Sequence, residues 1–370
     1  MKRKMFSILF ALVLVISLPL AACAAPAPTP SPSPSPSPSP SPSPSPSPSP
    51  SPPPAEEVIT WREVTTCPAG TDCYRLLESW ANAMTAASGG RLVVDHFGPG
   101  EIVTELDFME ATAMRVVEIT SGDYSKGGEF AVGAPYASMP LGITAIEWGA
   151  LDLDKGGREF LQKNCYDSLG IKYLGGIPQQ GCVINTSRPI AKLSDIKGMK
   201  IRDFGLKGEF CANLGFTVTY IPYPEVYLAL STGVVEGNNQ LPHNIMDMHF
   251  DEVAPYITLP FTVPYLGAGV WVNMEAWNEL TPDLQHIVME TFEAFSYRFC
   301  RNEMYNVGLD LKKFVAGGGT ILHLPEEDVA TMREVAIQTW NEAAAKDPLS
   351  AEFIAWYKEI MAELGYEAPD

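Results

Sequence analysis

One arginine of the sequence occupies a position from which it could bind an anion. Arg202 ends a short apolar segment, 199–202, that is typical of a strand, and ligands of open α/β sheets bind beyond the carboxyl ends of strands. A guanidinium there presents a planar pair of N–H groups to a carboxylate, and each such hydrogen bond is worth on the order of 1.5–3 kcal/mol. Asp203 is adjacent, so from position alone an internal ion pair between these two residues is an equally good explanation.

Amides and a tyrosine provide further candidate contacts. Asn238, Asn239 and Gln240 follow a Glu-Gly pair at the next predicted sheet edge, where amides could bind carbonyl or hydroxyl groups of a ligand. The alternative is a polar loop that binds nothing. In the first half of the chain, Tyr124 follows a predicted strand and could face the same cleft, unless it belongs to a surface turn.

A possible metal site consists of His243, Asp247 and Asp251, which recur at four-residue steps and would share one face of a helix. The chain has 44 acidic and 25 basic residues. In so acidic a protein a solvated helix face is the better interpretation of this spacing. We therefore predict that the protein binds no metal here.

The sequence lacks the usual catalytic motifs. It contains no Gly-x-Ser-x-Gly, no Walker phosphate loop, no His-Glu-x-x-His and no Gly-x-Gly-x-x-Gly fingerprint. The net charge of −19 argues against nucleic acid as a partner, because binding of phosphates needs a basic face. We predict a binding protein that is not an enzyme and needs no cofactor.

The elements that must position these residues form two α/β units. The first unit alternates strands and helices over 58–64, 72–87, 91–97, 106–114 and 116–121. The second does so over 199–202, 207–214, 217–221 and 224–231. Such alternation indicates mostly parallel sheets covered by helices. Because a long stretch, 122–198, separates the units, we predict two lobes rather than one long sheet.

A long helix is predicted to brace both lobes. Thr281 and Pro282 make a good helix start, and the apolar spacing continues to about 315, past Gly308. A helix of about 30 residues is roughly 45 Å long, which exceeds one small lobe. Two amphipathic helices, 325–346 and 350–364, are predicted to close the chain.

The N-terminal region is typical of an exported lipoprotein. Basic residues at 2–4, an apolar run over 5–18 and a Leu-Ala-Ala-Cys sequence ending at Cys23 predict a signal peptide, 1–22, and a lipidated Cys23. An ordinary cleavage site with an incidental cysteine is the alternative. Eleven Ser-Pro pairs then fill 31–52. They predict a polyproline II tether over 23–56, although such repeats can also bind proline-recognition modules.

If the protein is exported, its other six cysteines can be oxidised. Cys67 and Cys73 lie in a turn that leads into a helix, and a local disulfide between them is predicted. The remaining four could be buried thiols, and the sequence does not pair them. We expect the protein to be extracytoplasmic, in the periplasm or on the outer face of the cell membrane, and anchored there by lipid.

Several segments resemble the solute receptors of tripartite ATP-independent periplasmic (TRAP) transporters, family 7 of the extracellular solute-binding proteins. Residues 197–202, Lys-Gly-Met-Lys-Ile-Arg, match one characteristic pattern. Residues 224–237, Pro-Glu-Val-Tyr-Leu-Ala-Leu-Ser-Thr-Gly-Val-Val-Glu-Gly, match a second. Other similar segments are 68–70, 88–92 and 276–285. The resemblance covers about residues 57–345.

The resemblance implies a two-lobed α/β periplasmic-binding-protein fold, the Venus-flytrap form. Lobe I would comprise 57–178 with about 266–305, and lobe II 179–265 with about 306–370. It also implies that Arg202 binds the carboxylate of a small organic acid between the lobes. The closed receptor would then deliver this acid to the membrane subunits of a TRAP permease.

Some positions depart from the family's patterns. Asp203-Phe204-Gly205 stands where Val-Pro is more usual, which predicts a different local loop. A keto-acid subgroup has Glu-Trp where this chain has Asn239-Gln240, and the missing carboxylate argues against a metal-bridged ligand. The second arginine of sialic-acid receptors would align near Cys182, which argues against sialic acid.

Three other functions fit parts of the sequence. A solute-binding lipoprotein of an ATP-driven importer would share the two-lobed form, and so would a ligand sensor for a kinase. Neighbouring genes would distinguish these two from a TRAP receptor. An extracellular hydrolase is disfavoured because nucleophile and metal motifs are missing.

Overall fold

The computed structural model describes residues 58–123 and 130–366. These residues belong to one compact unit, 55–370. The predicted signal peptide, Cys23, the Ser-Pro tether and Tyr124 lie outside the described residues.

The first α/β unit follows the predicted alternation. Its elements are β1 (Ile59–Thr65), α1 (Asp72–Ala87), β2 (Leu92–Phe97), α2 (Phe108–Ala113) and β3 (Ile119–Asp123). Helix α1 begins at Thr71, whose side chain accepts a hydrogen bond from the Tyr74 amide, as expected for an N-cap threonine. Strand β1 pairs in parallel with both β2 and β3.

The middle of the chain contains three helices and a long strand, none of which the sequence analysis predicts. They are α3 (Gly133–Ala137), α4 (Ala145–Asp154), α5 (Gly157–Leu161) and β4 (Ile171–Thr186). Tyr136, Trp148 and Leu151 of these helices are buried in a large cluster with Phe353 and Tyr357 near the C-terminus.

The second α/β unit has a parallel arrangement of short strands. Its elements are β5 (Lys200–Arg202), α6 (Gly205–Asn213), β6 (Thr217–Thr219), α7 (Val226–Ser231), β7 (Gly237–Gln240) and α8 (Pro242–Asp247). Strand β5 lies between β6 and β7 and pairs in parallel with both.

The last third of the chain contains β8 (Tyr256–Asn273), α9 (Met274–Glu279), α10 (Pro282–Ala316), β9 (Thr320–His323), α11 (Glu326–Lys346) and α12 (Pro348–Glu363). As predicted, the long helix starts at Pro282; with 35 residues it is slightly longer than expected. Its Phe292 and Phe295 pack against Trp80 of α1. Its Phe314 packs with Val226 of the second unit, so α10 contacts both units.

The nine strands of the described residues are hydrogen-bonded into one sheet of order β2-β1-β3-β8-β4-β7-β5-β6, with β9 paired to β8. The prediction of two lobes rather than one long sheet is therefore wrong in one respect, since the two halves share a sheet. The reason is the length of β4 and β8, 16 and 18 residues, or roughly 50–60 Å each. They pair antiparallel from Ile171–Asn273 to Thr186–Tyr256 and so run through both halves. The lobe boundaries given above stay a prediction.

Within the described residues, no helix combines the length and the apolar character needed to cross a membrane.

Candidate functional site

A cavity lies where the carboxyl ends of strands from both units meet. The first unit contributes Thr66, directly after β1, and Asp123 at the end of β3; the second contributes Arg202 at the end of β5 and Gln240 at the end of β7. Ligand sites of α/β sheets lie at this edge. The loops and the two crossing strands supply the other lining residues, which are Cys67, Pro68, Thr71, Cys73, Gln179, Phe204, Lys207, Tyr223, Leu241, His243, Asn244, Gly267 and Ala268.

The cavity suits a small molecule. Its volume is about 90 Å³, whereas one water molecule needs roughly 10–15 Å³ on the same scale. The space therefore accommodates a solute of several non-hydrogen atoms.

Arg202 is a cation of this cavity whose hydrogen-bonding groups the described residues satisfy only in part. It is only 2% exposed. Its Nε donates to the carbonyl oxygen of Ile221 at 2.9 Å, while its Nη2 is buried and has no hydrogen-bond partner in the described part of the chain. Burial lowers the pKa of the guanidinium, and nearby carboxylates oppose that effect. A buried cation with an unsatisfied N–H group is a strong binding point for an anion.

The loop that departs from the family pattern supports this arginine. The Arg202 guanidinium lies 4.8 Å from the centroid of the Phe204 ring, and Lys207 Nζ lies 4.1 Å from the same ring. Gly205 starts α6 with φ at +60°, a conformation that proline, fixed near −65°, does not adopt. The Asp-Phe-Gly sequence thus places one aromatic ring in contact with two cations, which stabilises both.

The internal ion pair suggested for Arg202 and Asp203 is not present, because Asp203 has other partners. Its carboxylate pairs with Lys207 Nζ and accepts hydrogen bonds from Asn239 Nδ2 at 3.0 Å and Cys211 Sγ at 3.3 Å. Burial is the main cause, and the nearby Asp203 the second, that raises the pKa of the Cys211 thiol well above its usual range. The thiol therefore stays protonated and can donate to Asp203. We call Asp203, Lys207, Asn239 and Cys211 the Asp203 cluster.

The three predicted amides occupy different environments. Gln240 lines the cavity, and its Oε1 accepts from the Leu241 amide and from Asn244 Nδ2. Asn239 is fully buried in the Asp203 cluster, where its Oδ1 accepts from Thr262 at 2.7 Å. Asn238 is also fully buried, is not among the lining residues, and has no partner for either amide atom in the described residues. The structure thus brings together Arg202 and Gln240 among the predicted site residues.

Tyr223 and Gln179 line the cavity but were not predicted from the sequence. The Tyr223 hydroxyl is buried without a partner in the described residues, and burial raises its pKa, so the group remains a donor. A Tyr between two prolines after a short strand gave no signal that its hydroxyl would be buried. Gln179 lies in the middle of β4, which the sequence analysis did not predict as a strand.

A disulfide joins Cys67 and Cys73, with their Cα atoms 5.8 Å apart. The loop that it closes follows β1, and its Pro68 and Thr71 form one wall of the cavity. The other cysteines in the described residues, Cys165, Cys182, Cys211 and Cys300, are buried free thiols.

The residues of the possible metal site separate in the structure. His243 Nδ1 lies 2.7 Å from Glu303 Oε2 of α10, Asp247 accepts from the Asp72 amide at 3.4 Å, and Asp251 lies beyond the end of α8. Over 58–123 and 130–366, no group of three or more metal-binding side chains lies together. The predicted absence of a metal stays a prediction.

The sequence is similar to those of known solute-binding proteins. A family model described as bacterial extracellular solute-binding protein, family 7, matches residues 64–347. The chain is 27% identical to a monocarboxylate 2-oxoacid-binding periplasmic protein of Nostoc sp. over 323 residues, which is 84% of this chain and 88% of that protein. It is 25% identical to a C4-dicarboxylate-binding periplasmic protein of Rhodobacter capsulatus, over 75% of this chain and 83% of that one.

Solved structures share the fold. A TRAP periplasmic solute-binding protein of Pseudoalteromonas atlantica with bound sodium and pyruvate superposes with a TM-score of 0.77 at 23% identity, over 83% of this chain and 95% of that chain. A Bordetella pertussis extracytoplasmic receptor that binds pyroglutamic acid gives a TM-score of 0.74 at 19% identity, over 81% of this chain and 100% of that chain. The two-lobed α/β fold predicted from the sequence is thereby confirmed.

The family consists of solute receptors rather than enzymes, so neither the hydrolase nor the other alternative functions are favoured. The family match spans most of the described residues, including most of the first α/β unit, all of the second and the whole of α10. This chain therefore belongs to the bacterial extracellular solute-binding proteins of family 7, as its resemblance to TRAP receptors predicted.

Proposed function

We propose that the protein captures a small organic acid by its carboxylate and delivers it to the membrane subunits of a TRAP permease. The observation that carries this proposal is Arg202, a cation buried at the cavity wall whose Nη2 has no partner in the described residues. An organic carboxylate offers the planar pair of acceptors that a guanidinium binds best. The acids named for the relatives, among them 2-oxoacids, C4-dicarboxylates and pyroglutamate, support the same class of ligand.

Neutral donors beside Arg202 also favour an acceptor-rich ligand. The Tyr223 hydroxyl has no acceptor in the described residues, and no partner is described for Gln240 Nε2. We assign Arg202 and Gln240 to ligand binding and add Tyr223. Asn239 is better suited to hold Asp203 in place, Asn238 has no contact with the cavity, and Tyr124 keeps its predicted role without a described position.

Closure of the two lobes around the acid is part of the proposal. Both α/β units line the cavity, so a ligand that touches both stabilises the closed form by the difference between its closed and open affinities. Two contacts join the units at the rim of the cleft. Tyr220 Oη donates to Glu105 Oε1 at 2.8 Å, and the Asp72 amide donates to Asp247.

We propose that no cation bridges the acid to this protein. Solved relatives contain sodium or calcium together with pyruvate. In this chain Asn239 stands where the keto-acid subgroup has a glutamate, and its amide is engaged with Asp203 and Thr262. A neutral amide supplies no charge to hold a cation.

The N-terminal sequence is the basis for proposing a lipid anchor. We propose that the signal peptide is removed, that Cys23 is lipidated and that the Ser-Pro tether of 23–56 carries the receptor outside the membrane. No specific observation favours an ATP-driven importer or a kinase sensor as the partner.

The proposal is tested by a thermal-shift screen of the purified protein against small organic acids. A ligand that binds only the folded state raises the melting temperature. For the best acid, Arg202→Ala should weaken binding by about 2–5 kcal/mol, which is roughly 30- to 5,000-fold. Arg298→Ala is the control, because Arg298 is an exposed arginine on α10 that donates to Ser79. An affinity of Arg202→Ala close to that of Arg298→Ala would contradict the proposal.

A further inference from the structure

His243 is a polar group of the cavity that the proposed carboxylate contact does not use. It lies on α8, directly after β7, and is 9% exposed. Its Nδ1 is held by Glu303 of α10, which is itself 5% exposed. No partner is described for its other ring nitrogen, Nε2, and the residue lines the cavity. A nine-tenths buried imidazole therefore has one nitrogen fixed and the other available to a ligand.

Two of the charged or titratable groups that line the cavity are paired within the protein. Lys207 is paired with Asp203, and His243 is paired with Glu303. Asp123 adds a carboxylate to the lining. A second carboxylate on the ligand would have to be buried here without a cation of its own, which is costly.

We infer that the ligand is a monocarboxylate with an uncharged acceptor oxygen, a hydroxyl or a carbonyl, and that His243 binds this oxygen through Nε2–H. This inference rests on the proposed binding of a carboxylate and restricts the class of acids that the protein binds. Glu303 cancels the charge of His243 and fixes its ring, so the histidine acts as a hydrogen-bond donor rather than as an anion site. His243 is then the residue that determines specificity at the end of the ligand away from the carboxylate.

The surroundings of His243 favour its protonated form. Burial lowers its pKa, but Glu303, and then Asp247 and Asp310, raise it, and the net direction is upward. These acids face it from α10 and from its own helix; Asp72 of α1 touches Asp247. Across the cavity stand Arg202, Lys207 and Asp123. With Nδ1 turned to a carboxylate, Nε2 carries a proton when His243 is charged.

The test uses acids of one carbon-chain length that differ only in the second polar group. Binding of butanoate, of 2-, 3- and 4-hydroxybutyrate and of succinate to the purified protein is measured by titration calorimetry. The best hydroxybutyrate should bind about two- to tenfold more tightly than butanoate, the usual effect of one hydrogen bond. Succinate should bind at least about tenfold more weakly than that hydroxybutyrate.

Variants then assign the preference to His243. In His243→Phe the ratio of the two affinities, best hydroxybutyrate over butanoate, should fall towards one. His243→Gln keeps a hydrogen-bond donor and should keep most of the preference for the hydroxybutyrate over butanoate. This variant also tests the inference if His243→Phe does not fold. His286→Phe is the matched control, because His286 is an exposed histidine on α10 that is 72% exposed at its side chain; its ratio should equal that of the unmodified protein.

A pH series separates the charge effect from packing. In Glu303→Gln, the main group that raises the pKa of His243 is lost. His243 therefore gains an uncompensated charge only at acidic pH, and succinate should bind more tightly there. In the unmodified protein the succinate affinity should not rise in this way.

Three outcomes would overturn the inference. The first is that succinate binds as tightly as the best hydroxybutyrate. The second is that His243→Phe lowers the affinity for all five acids by the same factor. If Arg202→Ala still abolishes binding in either case, the carboxylate function stands and only the role of His243 fails. If none of the acids binds and Arg202→Ala has no effect on any organic acid, the proposed function fails and the inference fails with it.

Discussion

Two buried cations stand close together in this protein and differ in what they bind. Lys207 is 2% exposed and belongs to the Asp203 cluster, in which every partner of Asp203 is internal. Arg202 is equally buried, yet its Nη2 has no internal acceptor in the described residues. Both contact the ring of Phe204.

The difference separates residues that stabilise the fold from residues that bind a ligand. A buried charge is tolerated in a folded protein when a partner compensates it. Lys207 obtains that compensation within the chain. In the proposed function Arg202 obtains it from a bound anion, because its Nη2 has no internal acceptor in the described residues.

The largest expected effect is on the stability contributed by Lys207. Lys207→Met should lower the free energy of unfolding by about 3–5 kcal/mol, because it leaves Asp203 buried without its cation. Arg202→Met is the matched control, and its loss should be under about 1 kcal/mol, the worth of its hydrogen bond to Ile221. Urea denaturation of both variants measures this contrast, and equal losses would remove the distinction between the two cations.

A smaller contrast is expected for two adjacent amides. Asn239→Ala removes a donor to Asp203 and an acceptor for Thr262 and should lower the free energy of unfolding by about 1–3 kcal/mol. Gln240→Ala should lower it less, and should weaken binding of the carboxylate about two- to tenfold. Denaturation and calorimetry on both variants test the assignment. It fails if Asn239→Ala weakens binding more than Gln240→Ala does.

The smallest expected effect is on the pH dependence of stability and concerns His243. This residue has an internal ion-pair partner, as Lys207 does, and it lines the cavity, as Arg202 does. Because its folded-state pKa is raised above the ordinary value, its ion pair with Glu303 contributes stability that is fully present below about pH 6.5. This contribution is lost as the pH rises through the raised pKa.

Thermal denaturation between mildly acidic and alkaline pH measures that contribution. The unmodified protein should exceed Glu303→Gln in melting temperature most at the acidic end, and the difference should shrink as the pH increases. A difference that grows with pH would mean that His243 is neutral in the folded protein.

Local signals in the sequence predicted much of the fold. The Thr-Pro start at 281 and 282 and the apolar spacing after it located α10, and the Ser-Gly-Gly sequence after α1 located its end. The strands β4 and β8 were missed for a physical reason. Gly175, Gly176 and Pro178 interrupt β4, and Pro260 and Pro264 interrupt β8, and such residues normally indicate turns.

The candidate site was predicted less completely. The position of Arg202 at the end of a strand follows from the local sequence pattern. The partners of Asp203 do not, because Lys207 and Asn239 contact its carboxylate from two different elements. Alternation along β7 turns Asn239 away from the side on which Gln240 lies, and the sequence alone did not reveal which side faces the cavity. The unsatisfied hydroxyl of Tyr223 and the pairing of His243 with Glu303 depend on contacts between distant segments.

The pairing of β4 with β8, which continues through both halves in spite of two register shifts, has a mechanical consequence. Any relative movement of the two α/β units must bend or twist a ribbon of hydrogen-bonded backbone rather than swing on a slack linker. Such a movement is distributed over small changes in many backbone dihedral angles, and the paired strands resist it elastically. If the lobes close around the acid as proposed, part of the free energy of binding goes into deforming this ribbon and is released when the acid leaves.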